Sequence, residues 1–113
     1  MKSIGKKANQ PKPPAHLSLE SKRFWRWACA TFLMEEHDLR LLRLACQNLD
    51  QAERARLQLA KEGVTFLDVR GKPRAHPAVA IERDASITAA RLIRELRLSE
   101  VAQDARPPRI GGR

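Results

Sequence analysis

The longest regular pattern of apolar and polar residues lies in residues 36–62, a stretch without proline or glycine. Its apolar residues recur at steps of three and four, which places them on one side of a helix and suits a partner helix alongside. At 1.5 Å per residue this helix is about 40 Å long, too long for so small a domain to bury fully. We therefore predict that copies of the chain associate through a leucine seam. The seam consists of Leu42, Ala45, Leu49, Ala52 and Leu59, of which Leu42, Leu49 and Leu59 are the predicted self-association residues. The residues predicted to face solvent are Arg40, Arg43, Gln47, Asp50, Arg54 and Lys61.

A shorter helical pattern precedes the long one and begins at Ser18, a residue type that favours the N-cap of a helix. This predicted first helix runs to about residue 32. Trp27 falls opposite its inner face, since two residues advance a helix by about 200°. An exposed tryptophan often anchors a protein interface, and packing of Trp27 under the N-terminal arm is the alternative. We expect Trp27 and Met34 to bind a partner protein. The predicted inner face consists of Trp25, Ala28, Cys29 and Phe32.

A short β-hairpin is predicted at about residues 64–75, after Gly63 ends the long helix. Pro73 confines the returning strand to a sheet edge because proline cannot donate to a ladder. A two-stranded ribbon is marginal by itself and needs support from a helix or a neighbouring subunit. The basic residues of the ribbon fit contact with phosphate, and equally the protection of an exposed edge against aggregation. These basic residues are Arg70, Lys72 and Arg74.

A third helix is predicted to open with His76 and Pro77, because proline fits the first position of a helix. We expect His76 to cap this helix. Its predicted buried stripe consists of Ile81, Ala85, Thr88, Ala89, Leu92 and Leu96.

Together these elements predict a mainly α fold, an antiparallel helical hairpin with a long central helix, a short β-hairpin and a third helix. Composition divides the chain into a disordered basic arm at residues 1–16, a helical core domain at 17–98, and a short helix with a flexible tail at 99–113. No apolar run is long enough for a signal peptide or a membrane span, so we expect a cytoplasmic protein.

The net charge of +9 lies mainly outside the long helix. Such an excess favours a polyanion partner such as DNA, RNA or an acidic membrane surface, and simple solubility is the alternative. The residues first predicted to contact phosphate are Lys6, Lys7, Lys12, Arg70, Lys72 and Arg74, followed by Lys22, Arg23 and Arg26.

Nothing in the sequence indicates an active site, a cofactor or a metal. Neither GxxxxGK[ST] nor GxGxxG occurs, and no serine, cysteine and histidine arrangement prepares a nucleophile. Cys29 and Cys46 share no metal-binding spacing with His37 or His76, so we predict buried free thiols rather than a zinc site. The chain is therefore not predicted to be an enzyme.

Several short segments occur in an order that resembles the small subunit of phage terminases, over roughly residues 14–106. A tryptophan-bearing helix follows the first segment, and the long helix precedes the second. Glu35 or Glu36 stands where that family usually has threonine or serine, so we expect a weaker cap at the start of the long helix. The segments are, in order, Pro14 to Ser18, Glu62 to Thr65, Gly71 to Pro73, His76 to Val79, and Leu96 to Ser99.

The resemblance implies a non-enzymatic DNA-packaging protein of a bacteriophage or prophage, acting in the cytoplasm of a bacterial host cell. Such subunits assemble into rings, recognise the packaging start on double-stranded viral DNA, and present it to the large subunit, which holds the ATPase and the nuclease. The residues alone leave open a basic helical module for protein interaction or for DNA-binding regulation.

Overall fold

The computed structural model describes residues 10–96, which form three helices and one two-stranded antiparallel sheet. The predicted mainly α fold with a short β-hairpin is thus confirmed. Most of the predicted basic arm, and the predicted helix and tail at 99–113, lie outside the described residues. No helix within residues 10–96 is long and apolar enough to cross a bilayer. The elements are α1 (Leu19–Thr31), α2 (Glu36–Glu62), β1 (Thr65–Leu67), β2 (Pro73–Ala75) and α3 (Pro77–Leu96).

Helix α1 begins at the predicted cap and buries the predicted face. The hydroxyl of Ser18 accepts a hydrogen bond from the N–H of Ser21 at 3.1 Å, which satisfies one of the free donors of the first turn. The helix ends at Phe32, whose backbone is extended. The buried residues of the predicted face are Trp25, Ala28, Cys29 and Phe32.

Helix α2 is better capped than the sequence suggested. The N–H of Glu35 donates to the Asp38 carboxylate at 3.1 Å, so an acid inside the first turn supplies the bond. The helix ends at Gly63, whose N–H donates to the carbonyl of Leu59 at 2.7 Å. Gly63 has φ 87°, a conformation that glycine adopts without steric cost.

Helices α2 and α3 also lie antiparallel, in addition to the predicted hairpin of the first two helices, and the sheet lies at their connection. His76 meets Glu62 at one end, and Leu96 joins the buried cluster of Leu42 at the other. The residues buried on the two helices are mostly small, which lets their backbones approach closely. The buried alanines are Ala45 and Ala55 on α2, and Ala78, Ala85 and Ala89 on α3.

The predicted stripe of α3 is wrong at two positions. Ile81 is 41% exposed and Thr88 is exposed, whereas Ala78, which the stripe omitted, is buried. At 3.6 residues per turn, both exposed residues lie about 60–80° around the helix from Ala78. The alanines of α3 therefore lie at the centre of its contact with α2, and Ile81 and Thr88 lie at the edge of this contact.

Helix α1 packs antiparallel against the first half of α2. Ser18 meets Asp50 and Ser21 meets the carbonyl of Cys46, so α1 begins near the middle of α2. The core lies between α1, the first half of α2 and the end of α3. Its buried members are Leu17, Trp25, Ala28, Cys29, Phe32, Leu42, Cys46 and Leu96.

Candidate nucleic-acid interface

The turn of the β-hairpin is organised by one carboxylate, that of Asp68. Its Oδ1 accepts the N–H groups of Arg70 at 2.8 Å and Lys72 at 2.9 Å. Its Oδ2 accepts from the Arg74 guanidinium at 3.0 Å. Hydrogen bonds from the Lys72 backbone, and then from Arg74, hold the pKa of Asp68 below its ordinary value. Sequence reasoning missed this residue, although an aspartate two residues before a turn is a recognisable signal.

The same turn presents cations to solvent. Arg70 and Lys72 are exposed, and neither forms an ion pair with another residue of 10–96. Arg74 pairs with Asp68 and is still 62% exposed. The turn therefore presents Arg70 and Lys72 without a carboxylate partner in the described chain, and Arg74 with one. Arg70, Lys72 and Arg74 are called the hairpin cations below.

The base of the hairpin is tied to both long helices through His76. Its Nδ1 accepts the N–H of Ala78 at 3.0 Å, which confirms the predicted capping role. Because Nδ1 accepts, Nε2 carries the proton and donates to the Glu62 carboxylate at 2.6 Å. This bond lowers the pKa of Glu62. Phe66 lies edge-on to the same ring, with centroids 6.3 Å apart.

The strands themselves are exposed on both faces. Leu67 pairs with Pro73 across the ladder, and Phe66 pairs with Arg74. Since neighbouring residues of a strand point to opposite faces, the Leu67 face is apolar and the Phe66 face carries the charge. No helix of the described chain buries either face.

Those of the other predicted phosphate contacts that fall within residues 10–96 lie on or near α1, away from the hairpin. The Trp25 indole N–H donates to the carbonyl of Pro11 at 3.0 Å, which holds Lys12 close to α1. On α1 itself Lys22 is half-buried, and Arg23 and Arg26 are exposed. Lys6 and Lys7 lie outside the described residues. The structure therefore separates the predicted cations into a hairpin group and an α1 group.

Asp50 was predicted to face solvent, and the structure corrects this. Its side chain is buried, with a carboxylate that accepts from the Ser18 N–H at 2.8 Å, the Ser18 hydroxyl at 2.6 Å and the Ser21 hydroxyl at 2.6 Å. Burial by itself raises the pKa of Asp50, but hydrogen bonds from Ser18 and Ser21 outweigh it and lower the pKa. These bonds join the start of α1 to α2.

A groove of about 1020 Å³ lies beside the start of α1, where α2 extends past it and α1 no longer covers it. Its most exposed apolar side chains are Leu19, at 75%, and Leu57, at 52%. Phe24 and Leu49 complete the apolar lining. The charged residues of this α1–α2 groove are Glu20, Asp50, Glu53, Arg23 and Arg54.

Of the two predicted partner-binding residues, Trp27 lies in an aromatic patch on α1 with Phe24 and Phe32, and Met34 lies in the connection to α2. Trp27 is 50% exposed, stacks on Phe24 at 5.8 Å between centroids and meets Phe32 edge-on at 5.5 Å. Met34 is half-buried against the core. Since Phe24 also lines the groove, the patch and the groove are contiguous.

The predicted self-association residues are in three different environments. Leu42 is fully buried in the chain's own core. Leu49 is 36% exposed and lines the groove, and Leu59 is half-buried. Self-association through the seam stays a prediction, and only Leu49 and Leu59 retain surface for a second copy.

The cysteines are free and buried, as predicted. Burial raises the pKa of Cys29 to about 11. Burial, followed by the charges of Asp50 and Cys29, raises the pKa of Cys46 to about 12. Thiols with such pKa values carry almost no thiolate at neutral pH and are poor nucleophiles. Within residues 10–96, no group of three His, Cys, Asp or Glu side chains is arranged to hold a metal ion.

Comparison with known proteins gave one informative result. The model of the family described as phage terminase, small subunit, matches residues 20–106, which is most of the chain. The match includes α1, α2, the β-hairpin and α3. Neither the curated proteins nor the solved structures gave a match.

Proposed function

The chain belongs to the family of phage terminase small subunits, and from that premise we propose that it binds viral double-stranded DNA without catalysing a reaction. Its role is to engage the DNA at the packaging site and to recruit or regulate the large ATPase and nuclease subunit. Self-association into a homo-oligomer is part of the proposal. We also propose that the protein is encoded by a bacteriophage or prophage and acts in the cytoplasm of a bacterial host cell.

The observation that carries DNA binding is the geometry of the hairpin turn. Asp68 holds the backbone of Arg70 and Lys72, so these two cations are positioned by a turn rather than by a mobile loop. The Asp68 carboxylate accepts the backbone N–H groups of Arg70 and Lys72 and does not pair with their side chains. These two side chains therefore remain available to an external anion. The phosphates of a DNA backbone are anions of this kind, and arginine and lysine are their usual partners.

The charge of the whole chain supports the same partner. A net charge of +9 on 113 residues attracts a polyanion and speeds its encounter. The α1 cations, Lys12, Lys22, Arg23 and Arg26, provide a second set of contacts. Contacts of these residues with phosphate would position the protein on the duplex and would not by themselves select the packaging site.

Salt-dependent DNA binding tests the hairpin directly. The double variant Arg70→Ala/Lys72→Ala is compared with wild type by fluorescence anisotropy on a labelled duplex at several salt concentrations. Each lost phosphate contact reduces the slope of log K against log salt by about 0.9. Loss of both contacts therefore lowers the slope by about 1.8, and the loss of affinity is similar for unrelated duplex sequences.

The matched control is Arg40→Ala/Arg43→Ala, which removes the same charge from the exposed side of α2. We expect this control to keep the wild-type slope, apart from a small uniform loss of affinity. Equal slopes for the hairpin variant and the control would contradict phosphate contact by the hairpin.

A second part of the proposal concerns the large subunit. Trp27 is a half-exposed tryptophan with Phe24 stacked on it, and tryptophan is among the residues most enriched in binding hot spots. We therefore propose that the aromatic patch docks the large subunit, while the hairpin engages DNA. The alternative function, a basic module for protein interaction, keeps the patch and gives the cations no role beyond solubility.

A further inference from the structure

The apolar side chains at the outer end of the hairpin take no part in the contacts described above. Leu67 is 69% exposed and Val69 is fully exposed. We infer that these two side chains lie on the floor of the major groove of the bound duplex and contact the methyl groups of thymine. The inference rests on the proposed DNA binding, and it supplies the selection of sequence that contacts with phosphate lack.

The face of the ribbon that carries Leu67 has no charged side chain. Its cross-strand pairs are Thr65 with Ala75 and Leu67 with Pro73, and all four residues are exposed. A two-stranded ribbon is marginal in water without support, so the exposure of this face is not offset by a core of its own. Contiguous exposed apolar residues often mark a binding surface.

Val69 lies at the tip of the turn, where turn formation does not require it. The N–H of Gly71 donates to the carbonyl of Asp68, and the N–H of Asp68 donates to the carbonyl of Lys72, both at 2.9 Å. Val69 and Arg70 are therefore the two central residues of the turn. Such positions usually carry Gly, Pro, Asn, Asp or Ser, so a contact outside the chain explains a fully exposed valine better than the turn does.

The charges beside the tip identify what covers it. Arg70 follows Val69 directly, and neither Arg70 nor Lys72 pairs with a carboxylate of residues 10–96. An apolar partner would take both cations out of water without a counter-charge. A DNA groove has base edges on its floor and phosphates along its sides, so it offers contacts to the apolar side chains and to the cations together.

The dimensions of the ribbon favour the major groove. Two paired strands lie about 5 Å apart, and the minor groove is hardly wider, at about 6 Å. The major groove is about 12 Å wide and admits a two-stranded ribbon.

The chemistry of the groove floor then favours thymine. The C5 methyl of thymine is the apolar group among the polar base edges of the major groove. Leu67 and Val69 gain by covering a methyl group, whereas covering the amino group of cytosine would remove its water without replacing the hydrogen bond. The hairpin therefore prefers thymine at the positions that these two side chains cover.

Removal of the thymine methyl groups tests the inference without changing the charge of the DNA. Affinity is measured by fluorescence anisotropy for a duplex of alternating adenine and thymine, and for the same duplex with deoxyuridine in place of thymidine. The protein variant is Leu67→Thr/Val69→Ser, since threonine favours strands and serine favours turns. Leu44→Gln, at an exposed apolar position on α2, is the matched control.

Wild type and the control should bind the deoxyuridine duplex about fourfold more weakly for each methyl group that is covered, which is the factor expected for one buried methyl group. The Leu67→Thr/Val69→Ser variant should bind the two duplexes within about twofold of each other. Its salt slope should equal that of wild type, because Arg70 and Lys72 still reach phosphate.

Equal affinity of wild type for the two duplexes would overturn the inference, and this comparison needs no variant. A variant that keeps the full preference for thymine would also overturn it, and a change in its oligomeric mass would then assign the surface to another copy. The phosphate contact is decided separately by the salt slope of Arg70→Ala/Lys72→Ala. A reduced slope in that variant, with equal wild-type affinities for the two duplexes, keeps the proposed DNA binding and removes only the thymine contact.

Discussion

Removal of the Asp50 carboxylate tests whether the junction of α1 with α2 depends on one buried charge. In Asp50→Ala three hydrogen bonds are lost, two of them to Ser18 and one to the buried hydroxyl of Ser21. A hydrogen bond to a charged group contributes about 1.5–3 kcal/mol, and such contributions are not additive. Ser18 is exposed and regains water, whereas the buried Ser21 hydroxyl keeps only its longer hydrogen bond, of 3.4 Å, to the carbonyl of Cys46. We therefore expect a loss of about 3 kcal/mol in the free energy of unfolding.

The assay is equilibrium unfolding in urea, followed by circular dichroism, with a thermal melt alongside. For a domain of this size a loss of about 3 kcal/mol lowers the Tm by about 12–24 °C. Asp50→Asn is the control, because it keeps the shape and one acceptor oxygen but removes the charge. Its loss should be clearly smaller than that of Asp50→Ala. A change within about 0.5 kcal/mol for Asp50→Ala, the range of ordinary surface substitutions, would refute the reasoning.

The pH dependence gives an independent check. Hydrogen bonding holds the pKa of Asp50 below its ordinary value in the folded chain. The stabilisation is therefore complete above the ordinary aspartate pKa of about 3.9 and is lost as the pH falls through the lower folded pKa. The stability difference between wild type and Asp50→Ala should shrink below about pH 4. A difference that stays constant down to pH 2 would show that the charge is not its source.

Three further substitutions probe the other surfaces. Trp27→Ala should abolish capture of the large subunit in a pull-down while leaving duplex affinity unchanged; undiminished capture would remove the aromatic patch from the proposal. Leu49→Asp places a charge in the groove lining and should reduce self-association seen by light scattering; an assembly of wild-type mass would contradict a role for Leu49. Ala89→Leu forces a large side chain between α2 and α3, where Ala89 is 1% exposed, and should lower the free energy of unfolding by about 1–3 kcal/mol. If Ala89→Leu left urea unfolding unchanged, the contact between α2 and α3 would not be tightly packed at this position.

The elements of the fold were predictable because their signals are local. Gly63 and Pro77 mark where α2 ends and α3 begins, and the spacing of apolar residues identifies the helices between such marks. The capping of α1 by Ser18 and of α3 by His76 was likewise predictable from residue type and position. Each of these interactions joins residues that are close in the sequence.

What the sequence did not predict depends on contacts between distant residues. Asp50 fitted a solvated stripe, and it is buried because the start of α1 packs on it with Ser18 and Ser21, which are 32 and 29 positions away. Ile81 fitted the apolar stripe of α3, but alanine-to-alanine packing moved the centre of the contact away from it. Periodicity identifies a face of a helix, whereas the partner helix decides where that face is centred.

The candidate site was predicted in its residue types and not in its arrangement. Arg70, Lys72 and Arg74 were identified as cations of a ribbon, and the structure adds that Asp68 fixes their turn. The groove was not predicted, because it arises from the difference in length between α1 and α2 together with their register. Register between helices is set by side-chain packing that a single sequence does not reveal.

Site-specific photo-cross-linking tests the central claim most directly, because it asks which surface touches DNA. A photoreactive amino acid replaces Val69, which is fully exposed beside Arg70 in the hairpin turn. The control carries the same residue at Leu44 on α2. In low salt with a duplex that contains the packaging start, we predict cross-links to DNA from position 69 and none from position 44. Binding of the duplex without any cross-link from position 69 would contradict a DNA-contacting hairpin.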